Sequence, residues 1–339
     1  MKQFSMFILL PAALLLAACA KSESESDNDA TKRYVEAWMY VHYPDIEATD
    51  PGYYLLEETE GTGMEYSGEY YVWLNYNTTD LDGNYSGTTY KTIAQQIGDY
   101  EEPYYYGPQW MVNAESAMPA GLAYLLEGMR IGGYKKAVIP SYLNTYSRYD
   151  TAEEYLSHST SYSTSIYEIT LMDFTDDIVM WEVDSLERHM DMYYDGLDSL
   201  AYGIYYYQTL EPTDTTSFDE DTTIFIDIIA RRLDGQVYET TIEDTAKFYG
   251  IYDEDQTYEP FGVAFGDEWS DLDYDDDDDE DYYNLLSGMK YALYQMRPYE
   301  QGTVFFMSYY GFYYSGNDDY VPAYSPVMVE MSIVDDPDD

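Results

Sequence analysis

The stretch MPAGLAYLLEGMRIGGYKKAVIP, residues 118–140, predicts a short helix that leads directly into a strand. Four apolar side chains recur at i, i+3, i+4 and i+7 and form one stripe along that helix: Leu122, Leu125, Leu126 and Met129. The glycine pair at 132–133 is typical of a helix end, and Val138 and Ile139 close an extended run before Pro140. The stripe predicts that the helix packs against a flat surface.

Residues 285–296, LLSGMKYALYQM, repeat this pattern in the second half of the chain. Gly288 and Met296 stand at the same separation as Gly121 and Met129, and an aromatic, strand-forming run follows at 304–310. Two similar units indicate two similar domains, in agreement with a length of 339 residues. With 45% hydrophobic residues, the chain is rich enough in apolar side chains to fill folded cores.

The first residues resemble a bacterial lipoprotein signal. Lys2 supplies a positive charge, residues 4–16 form an apolar run too short to span a bilayer comfortably, and LAAC at 16–19 ends that run. The resemblance implies that Cys19 becomes the lipid-modified first residue; the alternative is an ordinary signal peptide with an incidental cysteine. Because Cys19 is the only cysteine, the sequence excludes disulfides, thiolate metal sites and a cysteine nucleophile in the folded body.

The polar run KSESESDND at 21–29 is interpreted as a flexible spacer between anchor and folded body. Ala20, rather than an aspartate, follows the cysteine, which by resemblance to lipoprotein sorting rules favours the outer membrane. We therefore expect a protein of the bacterial cell envelope, lipid-anchored on the periplasmic or the surface face of the outer membrane, that is tethered to the membrane without spanning it.

With 66 acidic and 15 basic residues, the formal charge is −51, which opposes binding to nucleic acid and to anionic lipid headgroups. His42, His158 and His189 lack metal-ligand spacing, and no glycine-rich phosphate loop occurs, so neither a metal nor another cofactor is predicted. Aspartates alternate at 271–275 as in a calcium loop, but Asp276 stands where that loop needs glycine. A solvated acidic loop and weak calcium binding are both left open.

Four pieces of the first half follow one another in a specific order: YYVWLNYNTTDLDGNY at 70–85, GLAYLLEGMRIGG at 121–133, KKAVIPSYL at 135–143 and SIYEITLMDF at 165–174. Together they resemble the FKBP-type peptidyl-prolyl cis-trans isomerases over residues 53–174. The resemblance implies an α+β fold in which a twisted antiparallel sheet wraps around one short helix. The second half is interpreted as a divergent copy of that domain, so the predicted fold is two tandem FKBP-like domains.

The chain is thereby divided into successive segments. We predict a signal peptide at 1–18, an acidic tether at 19–31, a helical extension at 32–52, a first FKBP-like domain at 53–174, a connecting helix at 175–199 and a second domain at 200–335 with an acidic insertion at 267–283.

Rotation about an X–Pro bond must overcome a barrier of about 20 kcal/mol but needs no covalent intermediate. An apolar cleft can favour the twisted amide by removing water from its carbonyl. The resemblance implies catalytic positions at Tyr76, Tyr85, Tyr146 and Tyr167, and substrate-binding positions at Tyr104, Met118, Pro119 and Leu122, with the backbone of Met118 and Pro119 gripping the peptide. The chain departs from the family where Leu122 replaces a tryptophan and where no pocket aspartate occurs at Ser86 or Gly87.

In the second copy, six residues fall on the family's pocket positions: Tyr238, Glu239, Phe261, Leu286, Met289 and Val329. Ile228 replaces the strand tyrosine there, which favours a binding or structural domain. For both copies, plain core packing of the aromatic residues is the alternative to a pocket.

The function expected from these features is a lipid-anchored FKBP-type isomerase that acts on proline-containing, unfolded or partly folded extracytoplasmic polypeptides. The competing hypothesis is a chaperone or surface-binding module that kept the fold with weak or no catalysis.

Overall fold

The computed structural model describes residues 27–158, 162–194, 197–220, 222–275 and 283–337. The predicted signal peptide, Cys19 and the start of the tether lie outside these ranges, as do residues 276–282 of the acidic insertion. Within the described ranges, no helix combines the length and the apolar character needed to cross a membrane.

The helices of the described chain are short, apart from the first and the fifth. They are α1 Asp27–His42, α2 Lys91–Ile97, α3 Ala120–Leu126, α4 Ala152–Ser157, α5 Ile178–Tyr193, α6 Glu243–Tyr249 and α7 Ser287–Leu293. Short 3-10 segments occur at Trp269–Asp271 and Ser308–Tyr310.

The strands form two antiparallel sheets, one in each half of the chain. The first contains β1 Tyr54–Thr59, β2 Tyr71–Thr79, β3 Tyr85–Thr88, β4 Gln109–Val112, β5 Tyr134–Ile139 and β6 Ser165–Thr175, in the order β1-β5-β6-β2-β3 with β4 also paired to β2. The second contains β7 Asp198–Ala201, β8 Ile204–Leu210, β9 Thr223–Arg232, β10 Val237–Thr240, β11 Phe261–Ala264, β12 Asp273–Tyr274, β13 Gln301–Phe306 and β14 Val327–Val334, in the order β12-β11-β9-β14-β13-β8-β7 with β10 also paired to β9.

Each sheet packs against one short helix, and this confirms the predicted α+β class. In the first domain, Leu125 and Leu126 of α3 are fully buried together with Ile169 and Leu171 on β6. In the second, Met289 and Leu293 of α7 lie in one core with residues of β9, β13 and β14. The apolar stripes found in the sequence are therefore the surfaces that the sheets cover.

The two matched glycines hold each helix directly against the strand that follows it. A Cβ atom on Gly121 would overlap Ile139 of β5, and one on Gly288 would overlap the ring of Phe306 on β13. In both domains a side chain at this position would push the helix away from the sheet. The sequence similarity between residues 118–140 and 285–310 thus corresponds to one shared packing contact.

Several elements differ from the sequence prediction. Helix α3 ends at Leu126, before the glycine pair at 132–133, because the chain leaves helical geometry at Glu127 and Gly128 adopts a left-handed φ of 68°. Helix α1 begins at Asp27, inside the predicted tether at 19–31, and ends at His42, before the end of the helical extension predicted at 32–52. Helices α2, α4 and α6 were not predicted.

The connecting helix predicted at 175–199 corresponds to α5, which spans the shorter range Ile178–Tyr193. Its Val183, Leu186 and Met190 pack against the second sheet in a cluster with Phe305. Its Trp181 lies edge-on to Trp110 of the first domain, with ring centroids 4.8 Å apart. The helix therefore belongs to the packing of both domains.

Direct bonds also join the two domains. The Tyr105 N–H donates to the Asp319 carbonyl at 2.7 Å, and the Arg232 guanidinium donates to the Pro103 carbonyl at 3.2 Å. Tyr324 of the second domain is buried in a cluster with Trp110 and Ile178. These contacts place the loop before β14 beside the first sheet.

Candidate functional site

The first domain contains an open cleft of about 610 Å³ between β2, β6 and α3. Five residues predicted from the sequence line it: Tyr76, Pro119, Leu122, Tyr146 and Tyr167. No lining residue of this cleft is charged. The structure thus brings most of the predicted pocket of the first domain together around one apolar, tyrosine-rich space.

Strand register places two of the tyrosines on the same wall. Tyr76 lies opposite Ile169 in the pairing of β2 with β6, and Tyr167 lies opposite Thr78 two positions along. Side chains two residues apart on a strand point to the same face, so both rings project towards α3. Leu122 reaches the cleft from the opposite side, on the first turns of α3.

The hydroxyls of the three predicted tyrosines that line the cleft are not equivalent. Tyr76 donates to Gln109 Oε1 at 3.3 Å and Tyr167 donates to Asn144 Oδ1 at 3.0 Å. Burial raises the pKa of Tyr167 to about 12, so its hydroxyl stays protonated. Tyr146, on the loop after β5 and 37% exposed, has no hydroxyl partner within the described residues. Its hydroxyl can therefore donate to a ligand without breaking an existing bond.

The predicted backbone grip at Met118 and Pro119 is wrong. Met118 is 1% exposed and belongs to the core, and its N–H donates to the Ala114 carbonyl at 3.1 Å. Pro119 has no N–H, and the next donor, at Ala120, is bonded to the Thr145 carbonyl at 2.7 Å. The turn that starts α3 satisfies its own donors, so only the Pro119 ring contributes to the cleft.

Tyr85 and Tyr104 do not line this cleft, contrary to the prediction. They border a separate cavity of about 320 Å³ that meets the cleft at Tyr76. Tyr85 pairs with Thr79 at the edge strand β3, which turns it away from α3. Tyr104 lies edge-on against Tyr320 of the second domain at 5.3 Å, and that contact holds it outside the cleft.

The six positions predicted for a second pocket do not surround a common cleft, contrary to the prediction, although Tyr238 borders a cavity of about 590 Å³ with Ile251 and Tyr252. Tyr238, Phe261, Met289 and Val329 lie in the main core of the second domain, and Leu286 packs against that core. Aromatic rings occupy the space: Tyr283 stacks on Phe261 at 5.2 Å, and Phe312 lies edge-on to Tyr238 at 5.7 Å. The core-packing alternative holds for this domain.

Glu239 is the remaining member of that set and is fully enclosed. Its Oε1 accepts from the Asn284 backbone N–H at 2.9 Å and from the Asn284 side chain at 2.8 Å, whereas Oε2 has no partner. Burial raises the pKa of Glu239 to about 7. The neighbouring Tyr238 hydroxyl is likewise buried without a partner. Two unsatisfied polar groups therefore sit in an otherwise apolar core.

The second domain supplies one side of the cleft, which the sequence did not predict. Tyr314, Ala323 and Tyr324, from the loop between β13 and β14, line the cleft together with Trp110 of β4. The density of tyrosine at 309–324 was visible in the sequence. A contact across a domain boundary leaves no periodic signal in the sequence, so the position of this loop at the cleft could not be inferred.

Within the described part of the chain, no group of three or more His, Cys, Asp or Glu side chains is arranged to hold a metal ion. Asp276 and most of the proposed calcium loop lie outside the described residues.

No family model matches the sequence, and no curated protein matches it either. Solved structures with a similar fold include the three FKBP domains of wheat FKBP73, at 13% identity over 84% of this chain and 94% of that one, with a TM-score of 0.29. FkpA from Escherichia coli is 20% identical over 46% of this chain and 63% of that one, with a TM-score of 0.30. A peptidyl-prolyl cis-trans isomerase from Pseudomonas syringae is 15% identical over 48% of this chain and 97% of that one, with a TM-score of 0.32.

These matches are remote in both sequence and structure. At such low identities and TM-scores, they do not bear on substrate, partner or activity. The support for those comes from the geometry of the cleft.

Proposed function

We propose that the first domain binds proline-containing segments of unfolded or partly folded polypeptides in the 610 Å³ cleft and catalyses cis–trans isomerisation of their X–Pro bonds. The observation that carries this proposal is the convergence of Tyr76, Tyr146, Tyr167 and Leu122 on one open, uncharged space. A core-packing role would have left these side chains in contact with one another and the space filled.

Isomerisation of an X–Pro bond places few chemical requirements on the cleft. Uncatalysed isomerisation takes roughly 10–100 s because amide resonance must be broken. An uncharged, aromatic lining removes water from the amide carbonyl and so favours the twisted form, in which charge separation is smaller. The free Tyr146 hydroxyl can donate to a peptide carbonyl and hold it during rotation. No metal or covalent nucleophile is required.

Binding with little catalysis is the second candidate, and one observation favours it. The N–H groups of Met118 and Ala120 are already bonded within the chain, and no carboxyl group lines the cleft. A peptide in this cleft would therefore have fewer fixed donors than the family resemblance implied. Such a site can retain affinity while losing most of the rate.

The two candidates are separated by measuring isomerisation of a proline-containing tetrapeptide directly, using the chain from Lys21 onward. Isomerase activity predicts a rate above buffer that falls about tenfold in Tyr146→Phe, since that change removes one hydrogen bond. The matched control is Tyr252→Phe, an exposed tyrosine outside the cleft. A rate equal to buffer, with bound peptide still detected by fluorescence anisotropy, would leave the binding module as the function. No binding at all would reject both.

We also propose that Cys19 carries a lipid that anchors the protein in the outer membrane, so that the cleft acts on extracytoplasmic polypeptides and not on nucleic acid. Support comes from the signal-like residues 1–19 and from the charge of −51. Incorporation of labelled palmitate into the expressed protein, with its loss in Cys19→Ala, is the expected result. Equal labelling of both forms, or recovery of the wild-type protein in the soluble fraction, would contradict the anchor.

A further inference from the structure

One side of the cleft belongs to the other domain. The loop between β13 and β14, Met307 to Pro326, reaches the first domain and presents Tyr314, Ala323 and Tyr324 to the cleft. If the first domain binds prolyl peptides as proposed above, residues flanking the proline meet this loop. The second domain, whose own pocket positions are filled, then takes part in recognition through its surface.

The loop is held in one conformation. Glu182 of α5 accepts from the Ser308 N–H at 2.5 Å and from the Ser308 hydroxyl at 2.7 Å, which fixes the start of the loop. The Tyr313 N–H donates to the Ser308 carbonyl and the Tyr324 N–H donates to the Tyr313 carbonyl, each at 2.8 Å. A loop that is already ordered loses little entropy when it meets a ligand.

Two of its tyrosines have strained backbones. Tyr313 has a φ of 46° and Tyr324 a φ of 55°, in the left-handed region that side chains with a Cβ rarely adopt. Residues kept in such conformations tend to occur at functional sites, where the surrounding structure enforces them. Here the enforced geometry brings both rings to the edge of the cleft.

The tyrosine rings form a continuous shelf at that edge. Tyr324 lies edge-on to Tyr71 of the first domain at 5.2 Å, and Tyr313 is 6.0 Å from Tyr324 and 5.2 Å from Tyr314. Tyr324 is 9% exposed, whereas Tyr314 is 65% exposed. Tyr314 is therefore the member of the shelf that lines the cleft and also offers its ring to solvent.

The exposed charges of the loop itself have one sign, and Arg232, which donates to the Tyr320 carbonyl at 2.6 Å, is paired with Asp234. Between Met307 and Pro326 the chain contains Asp318 and Asp319, both exposed, and no lysine, arginine or histidine. The lining of the cleft is uncharged, and the whole chain carries −51. An exposed tyrosine face attracts a cation through the ring quadrupole, and an acidic ligand gains nothing from such a surface.

We propose that Tyr314 makes the cleft selective for prolyl segments that carry lysine or arginine close to the proline. The long-range field draws basic segments to the protein, and the Tyr314 ring holds the cation at the mouth of the cleft. This inference rests on the proposed prolyl-binding function and names the substrate class of that site.

The test uses labelled peptides that differ at one position, with the chain from Lys21 onward. Each contains a single proline with lysine, acetyl-lysine or glutamate two positions away, placed upstream in one set and downstream in another. Acetyl-lysine matches lysine in length without the charge. Dissociation constants are measured by fluorescence anisotropy at low salt and at high salt, because salt screens the long-range field far more than a direct cation–ring contact.

At high salt, we expect lysine peptides to bind about two- to fivefold more tightly than acetyl-lysine peptides in either the upstream or the downstream set. This difference in affinity is the one expected of an exposed cation–ring contact. Tyr314→Phe should keep this preference, and Tyr314→Leu should abolish it, so that lysine and acetyl-lysine peptides bind equally. Tyr202→Ala, which removes an equally exposed tyrosine outside the cleft, is the control and should keep it.

Two results would overturn the inference while leaving the proposed function in place. One is equal binding of lysine and acetyl-lysine peptides at high salt, and the other is a preference that persists in Tyr314→Leu. If acetyl-lysine replaces lysine as the preferred residue at the varied position, the shelf recognises apolar segments and the cation proposal is wrong. Failure of every peptide to bind would instead reject the proposed function itself.

Discussion

The two domains contain the same helix-and-strand unit, yet the predicted pocket positions surround an open cleft in the first domain and lie in the core of the second. Leu122 of α3 and Met289 of α7 fall on the same position of the family pattern; Leu122 lines the open cleft, whereas Met289 is fully buried. The strand that follows the helix presents Ile139 in the first domain and the larger Phe306 in the second. Bulkier aromatic residues fill the corresponding space in the second domain, so the shared packing contact sets the fold and not the site.

The largest effect is expected at the shared contact itself. Gly288→Ala would place a methyl group inside the Phe306 ring, and Gly121→Ala would place one against Ile139, whose side chain has more freedom to move. Overpacking of a core costs about 1–3 kcal/mol, occasionally more, and we expect Gly288→Ala to lie above that range. Denaturant unfolding followed by circular dichroism measures this, with Ser287→Ala, at an exposed helix position, as the control. Equal, small effects at both glycines would mean that neither helix lies as close to its strand as the structure shows.

A second difference between the domains is the buried carboxyl group of Glu239. Because its pKa is raised to about 7 from 4.5, the folded state holds a proton that the unfolded state has lost. The bound proton therefore stabilises the folded state fully below pH 4.5. This stabilisation, about 3 kcal/mol of unfolding free energy in total, is lost as the pH rises towards 7. Glu239→Gln should therefore gain stability relative to wild type between pH 5 and pH 8. Parallel pH curves for the two proteins would show that Glu239 is not protonated in the fold.

Filling the cleft of the first domain should make that domain resemble the second, whose pocket positions are occupied. Ala117 is exposed at the edge of the cleft, so Ala117→Trp adds a ring there without disturbing the core. We expect at least a tenfold loss of prolyl-peptide affinity, equal to about 1.4 kcal/mol, with unchanged unfolding. Glu115→Trp places the same ring on an exposed neighbour outside the cleft and should bind peptide as wild type does. Unaltered affinity in Ala117→Trp would place the peptide elsewhere.

The smallest effects are of opposite sign in the two domains. Tyr238→Phe removes a buried hydroxyl that has no partner and should stabilise the chain by about 1 kcal/mol. Tyr167→Phe removes a hydroxyl bonded to Asn144 and should destabilise it by about 1 kcal/mol. Thermal unfolding of both variants checks the pair. Two changes of the same sign would show that one of the hydroxyls is bonded differently.

Much of the fold could be predicted because its elements carry clear periodicity. The stripes of α3 and α7, the alternation of β6 and the length of α5 are all readable from spacing. Helices α2, α4 and α6 have six or seven residues, too few to be stable without the surrounding structure, so propensity alone does not reveal them. Their ends did leave signals: the capping box of Thr151 and Glu154 in α4, and Gly98 and Gly250 directly after α2 and α6.

The candidate site could be predicted where residues lie on regular elements. Tyr76, Tyr167 and Leu122 were placed correctly because strand and helix periods fix their faces. Met118, Tyr85 and Tyr104 were not, because they lie in a turn, on an edge strand and in a loop, where neighbouring contacts decide the direction of a side chain. Tyr314 and Tyr324 reach the cleft only through domain packing, on which a single sequence carries no information.

The most direct test of the contrast between the domains uses the methyl signals of two methionines in the full chain. Met111 lines the first-domain cleft, and Met289 is buried in the second-domain core. On titration with a prolyl peptide, we predict that the Met111 signal shifts along one saturating curve while the Met289 signal stays in place. A shift of Met289 without one at Met111 would contradict the assignment of the open site to the first domain, and stationary signals at both would contradict prolyl-peptide binding.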